Sequence, residues 1–107
     1  MSVISTGTVG GPEARGTASI VASGGVAEVQ LTDFWIAPGA PDVRLYVSPR
    51  ADGVVDDTAI DLGKIPDGEP ELTRNLPADI DPATIRSVIV QCTIFKVLFG
   101  FGVVTPT

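Results

Sequence analysis

The sequence predicts an all-β domain, an antiparallel β-sandwich (jelly-roll-like or barrel-like) with almost no helix. Three observations support this. Apolar and polar residues alternate with period two in several short runs, as they do in strands with one buried and one wet face. Twelve glycines and nine prolines punctuate the chain, while helical periodicity is scarce. With 107 residues and 44% hydrophobic content, the chain has the size and composition of a single domain, 1–107, with one core.

Taken in order, Ala18, Ile20 and Ala22 share one face of the first run, with Thr17 and Ser19 on the other. Gly24-Gly25 then suits a tight hairpin into a second strand, where Ala27, Val29 and Leu31 alternate with Glu28, Gln30 and Thr32. Pro38-Gly39-Ala40-Pro41 breaks the chain before a third strand built on Val43, Leu45 and Val47. The Asp-rich segment Pro49 to Asp57 reads as a surface loop. Weaker strands are expected at Ala59–Leu62 and Leu72–Leu76. Pro77 to Pro82 is a turn region, in which Asp81 can cap one helical turn starting at Pro82.

The last third is expected to form the core. Val88, Val90, Cys92 and Ile94 fall on one face, and Ser87, Ile89, Gln91, Thr93 and Phe95 on the other. Apolar groups on both faces indicate a central strand, with Val97 to Val104 returning beside it. About seven or eight short strands at such spacing give a sandwich or barrel, and a sandwich is the reading adopted.

Composition narrows the chemistry. Net charge is −6, and the seven Lys and Arg residues are scattered singly, so no basic stripe exists for nucleic acid. Anionic membranes would repel such a chain. The apolar run Val88 to Val104 contains Gln91, Lys96 and two glycines and is short for a membrane span. The N-terminal residues lack the pattern of a signal peptide, which leaves the compartment open.

There is no histidine, one cysteine and one methionine. Histidine-dependent catalytic arrangements are therefore unavailable, and zinc, blue-copper or haem ligand sets cannot be assembled within the chain. No metal site, no cofactor and no enzymatic activity are expected. Asp52, Asp56, Asp57 and Asp61 do not follow the spacing of a calcium-binding loop and read as a solvated loop face.

Two features remain as candidates. Cys92 reads first as a small apolar core residue beside Val88, Val90 and Ile94. The sharper reading is a redox thiol, which needs exposure and a nearby positive charge, for which Arg86 and Lys96 are close in sequence. Phe34-Trp35-Ile36 runs into a Pro-Gly loop. It reads first as core closure at a strand end, and otherwise as an exposed anchor in which Phe34 and Trp35 contact a protein partner.

The order of several short motifs resembles the DM-thirteen domain family. The matching pieces are Gly16-Thr17-Ala18, Leu31-Thr32-Asp33-Phe34, Pro41 to Ser48, Leu62-Gly63-Lys64-Ile65 and Leu76-Pro77-Ala78-Asp79. They are followed by Ser87-Val88-Ile89-Val90-Gln91-Cys92 and then Phe95, Val97, Phe99 and Gly100. The resemblance spans roughly Gly7 to Val104. It implies a β-sandwich-like domain whose characteristic cysteine maps onto Cys92, an electron-transfer or redox accessory role with a protein partner, and an exported or extracellular setting. Gln91 stands where the family often has Trp, and Glu13 lies where a His is often seen. Pro70 and Arg74 replace the usual Gly and aromatic before the Leu-Pro step. These departures bear against an aromatic or imidazole-assisted electron path but leave the strand faces intact. The alternative role is a non-catalytic protein-binding module in which the cysteine is a core residue.

Overall fold

In the computed structural model, which describes residues 2–107, two antiparallel sheets face each other as a sandwich. The strands are β1 (Ser2–Val9), β2 (Ala14–Ser23), β3 (Val26–Ile36), β4 (Val43–Ser48), β5 (Ile60–Lys64), β6 (Leu72–Asn75), β7 (Ser87–Cys92), β8 (Val97–Val103) and β9 (Thr105–Pro106). One sheet has the order β6-β3-β2-β1-β9 and the other β5-β4-β7-β8. The only helical piece among the described residues is a 3-10 turn at Pro82–Thr84, where the Asp81 carboxylate accepts from the Ala83 N–H at 3.0 Å. Among the described residues, no helix is long and apolar enough to cross a membrane.

The period-two runs become strands as expected. Ala18 and Ile20 of β2, Val29 and Leu31 of β3, and Val43, Leu45 and Val47 of β4 all point into one buried cluster. Gly24 and Gly25 close the β2–β3 hairpin at φ +58° and +83°, a pair of left-handed residues that matches the twist of a hairpin. β7 is central and buried on both sides. Val88 and Val90 face the inter-sheet core, while Ile89 lies between Tyr46 and Phe101 on the outer face.

That outer face is roofed by the Pro49–Asp57 loop. Two fully buried hydroxyls pin the loop: Ser87 Oγ donates to the Arg50 carbonyl at 2.5 Å, and Ser48 Oγ accepts from the Arg50 N–H at 3.0 Å. A Cβ on Gly53 would fall 2.7 Å from the Phe101 ring, so the loop lies directly on it.

Bulges set which side chains enter the core. Thr17 pairs with Thr32 and Arg15 with Trp35, so Asp33 and Phe34 together oppose Gly16. Asp33 takes φ +49° to accommodate the extra residue. The bulge reverses the alternation of β3, turning Phe34 and Ile36 inward and Trp35 outward. A second irregularity, between Val90/Gly100 and Gln91/Leu98, adds Phe99 to the core.

The sheets touch backbone to backbone along one side. A Cβ on Gly7 would lie 2.1 Å from the Val103 carbonyl oxygen, on Gly102 2.4 Å from that of Thr8, and on Gly11 2.4 Å from that of Phe99. Gly10 and Phe101 exchange a pair of N–H···O bonds at 3.1 Å across this seam, linking β1 to β8 without a continuous ladder.

Two expectations need correction. β1 is a full strand that the alternation did not reveal. The strand expected to continue through Ile94 and Phe95 ends at Cys92, because the chain turns through Thr93–Lys96 with Lys96 at φ +52°. Ile94 is therefore exposed rather than packed beside Cys92.

Gly102→Ala should lower the unfolding free energy by about 1–3 kcal/mol, because a methyl group has no room at the seam. Gly10→Ala, where a Cβ meets nothing within 4 Å, should change it by no more than about 0.5 kcal/mol. Urea titration of both variants checks the pair, and equal midpoints would refute the seam as a constraint.

Candidate functional site

Cys92 ends β7 with its side chain on the inward face. In register it lies opposite Val43 of β4 and Val97 of β8. It is 1% exposed and belongs to the same buried cluster as Val90, Val43 and Phe99. Among the described residues its Sγ makes no hydrogen bond and faces no ion-paired cation. Arg86 precedes the opposite end of β7, about 20 Å away at the rise of a strand. Lys96 is exposed on the turn that follows the thiol. The surroundings are those of a packing cysteine.

Directly beyond Cys92 the chain forms an apolar tip. Ile94 is 61% and Phe95 66% exposed, and Val97 and Leu98 are also open to solvent. Lys96 sits among them and is the only charged residue between Ser87 and Thr107. The base of the tip is fixed by two bonds. The Thr93 N–H donates to the Asp42 carbonyl at 2.9 Å, and the Thr93 and Tyr46 hydroxyls are 2.9 Å apart. Four large apolar side chains held at a turn form the kind of exposed patch that soluble domains use for contact.

Phe34 and Trp35 part company. Phe34 is buried in the core. Trp35 is 39% exposed on the outer face of its sheet, with the Arg15 guanidinium carbon 4.7 Å from its ring centroid, a cation–π stack. The apolar tip itself escaped the sequence reading, since no Gly or Pro marks the reversal between β7 and β8. Lys96, the single charge in a long apolar run, was the available signal.

The acidic loop is tied up internally. Asp52 accepts from the Arg50 guanidinium and from the Val54 N–H. Asp56 accepts from the Thr58 N–H at 2.9 Å and pairs with Arg50 at 3.3 Å. Asp61 accepts from the Gly63 N–H at 2.8 Å and from Arg44 at 3.1 Å. Among the described residues no cluster of carboxylate, Cys or His side chains has the geometry to hold a metal ion. The Arg50 bond first, and the Val54 amide second, hold the Asp52 carboxyl down to about 2, and the two bonds from Thr58 lower that of Asp56.

With this geometry in view, the sequence profile of the family described as Electron transfer DM13 matches residues 9–102. No curated protein and no solved structure matches the chain.

Cys92→Ser should lower stability by about 1–3 kcal/mol, the cost of a hydroxyl in an apolar site without an assured partner. Native Cys92 should react with a disulfide reagent far more slowly than the unfolded chain. Rapid native labelling with an unchanged melting curve for Cys92→Ser would refute the packing role. The Asp52 carboxyl should titrate near 2 by carbon-detected NMR. Because its folded value lies below the unfolded one, whatever it adds to stability is present above about pH 4 and is lost as pH falls through about 2. Titration at an ordinary carboxylate value would show that the Arg50 bond does not persist in solution.

Proposed function

Because the chain belongs to the Electron transfer DM13 family, we propose that it serves electron transfer as an accessory domain. It docks a protein partner that carries the redox cofactor. The contact is the tip Ile94, Phe95, Val97 and Leu98, and Cys92 is part of the core that supports the tip. The observation behind this reading is the exposure of four adjoining large apolar side chains at a turn anchored through Thr93. Burying such a patch gains roughly 25 cal/mol per Å² of apolar surface, and aromatic residues in such patches are frequent anchors of interfaces. Lys96, on a domain of net charge −6, favours a partner whose rim at this point is acidic.

A second reading keeps Cys92 as the reactive group. It is supported by the position of the thiol at the base of the same tip, one residue before the turn, so that a movement of residues 93–97 would uncover it. The two readings differ in what removal of the sulfur does. In the docking reading Cys92→Ala costs stability but retains partner binding. In the thiol reading it abolishes electron exchange while binding persists.

Immobilised domain should retain, from an extract of the source cells, a protein whose absorbance spectrum shows haem or flavin. Ile94→Ser/Phe95→Ser, with an unchanged fold by circular dichroism, should retain at least about tenfold less of it, as expected when two interface anchors are lost. Equal retention by this variant, or retention only of proteins without a redox chromophore, would overturn the proposal.

A further inference from the structure

Away from the tip, at the opposite end of β7, a cavity of about 300 Å³ opens between β1, β8 and β9 on one side and the 3-10 turn on the other. Its walls are mostly apolar, formed chiefly by Ile4, Pro82, Val103 and Pro106, and three polar residues, Ser5, Arg86 and Thr105, line it as well. The volume is at the lower end of what small-molecule sites use.

The Thr105 hydroxyl donates to the Thr6 carbonyl at 3.5 Å, whereas the Ser5 and Arg86 side chains are unpaired. Ser5 is 4% exposed, and its Oγ is the one buried side-chain polar atom among the described residues without a hydrogen-bond partner. Leaving a hydroxyl in that state costs free energy, and such groups in native folds call for a specific explanation. Ser5 lies on the inward side of β1, where its strand neighbours Gly7 and Val9 face the other sheet. Arg86 contrasts with Arg44 of β4 and Arg50 of the loop that follows it. Arg44 is paired with Asp42 and Asp61, and Arg50 with Asp52 and Asp56. The Arg86 guanidinium has no carboxylate or other hydrogen-bond partner among the described residues. Its backbone is held firmly beside the cavity, the N–H donating to the Ser48 carbonyl at 2.8 Å and the carbonyl accepting from the Val104 N–H at 2.9 Å.

We propose that this cavity binds a small carboxylate with an apolar tail. The planar Arg86 fork is suited to a carboxylate, the Ser5 hydroxyl supplies a further donor, and the walls around Ile4 and Val103 accept the tail. The acidic character of the chain makes an unpaired cation at a concave apolar site more telling, because most of the surface disfavours anions. The site does not depend on the docking role of the tip.

Hexanoate tests the proposal, with hexanamide as its neutral counterpart, each titrated into isotopically labelled protein and followed by amide chemical shifts. Hexanoate is expected to perturb Ile4, Ser5, Arg86 and Val103 and to bind more tightly than hexanamide. Arg86→Gln should weaken hexanoate about tenfold or more, the usual worth of a charge-assisted hydrogen bond, while leaving hexanamide unchanged. Arg86→Lys should restore part of the loss. Ser5→Ala should weaken hexanoate several-fold without lowering the melting temperature. Equal binding of acid and amide, insensitivity to Arg86→Gln, or shift changes confined to other parts of the molecule would overturn the proposal. Arg86 is exposed, so its variants fold and the test stands even if Ser5→Ala misfolds.

Discussion

The approach of β1 to β8 is the constraint on which the rest of the architecture turns. Facing sheets ordinarily stand about 10 Å apart, with side chains between them. Along this side of the sandwich Gly7, Gly11, Gly100 and Gly102 remove the side chains and let the two backbones meet. The Gly10–Phe101 bridge then ties the sheets together where a ladder cannot run. Because β8 is fixed in this way, β7 is enclosed between β4 and β8, and Cys92 at its end is sealed. The chain beyond it must project as a hairpin. The cavity at Ser5 and Arg86 is a by-product of the same geometry, lying where β9 and the 3-10 turn take over from the seam.

Much of this was legible from residues. Ala18, Ile20, Val29, Leu31, Val43, Leu45 and Val47 declare their strands by alternation, and each enters the core. Gly24-Gly25 marks its hairpin, and Asp81-Pro82 marks its turn. β1 was illegible for a physical reason: its inward positions include Ser5 and Gly7, and small residues are what a backbone-to-backbone contact demands. A pattern search looks for bulk at the inward positions, and here bulk is excluded.

The bulges explain the remaining mismatches. Phe34 and Trp35 are adjacent, so one must face in and the other out, and plain alternation from Leu31 would have sent Trp35 inward. One extra residue opposite Gly16 reverses the outcome. The choice rests on Asp33 adopting a left-handed conformation, which polar residues of its type tolerate better than most. The tip is comparable. Its reversal is made by Lys96 at positive φ, a residue with no turn signature, so an apolar run that would suit a single long strand folds back on itself. For the candidate site, this means that burial of Cys92 was foreseeable, whereas the exposed surface above it was marked only by the charge of Lys96 in an otherwise apolar run.

The ends of the two sheets also have a consequence for colloidal behaviour. β9 is two residues long and contains Pro106, which lacks an N–H to offer a neighbour, and β6 has only four residues. β5 carries Asp61, Gly63 and Lys64 within its five. Short, charged or proline-bearing margins give an approaching strand little to pair with, and the fourth margin, β8, is covered by β1 along the seam. A sandwich bordered in this way resists the edge-to-edge growth that turns β proteins into fibrils, so an apolar hairpin can be left in water without drawing the sheets of neighbouring copies into register.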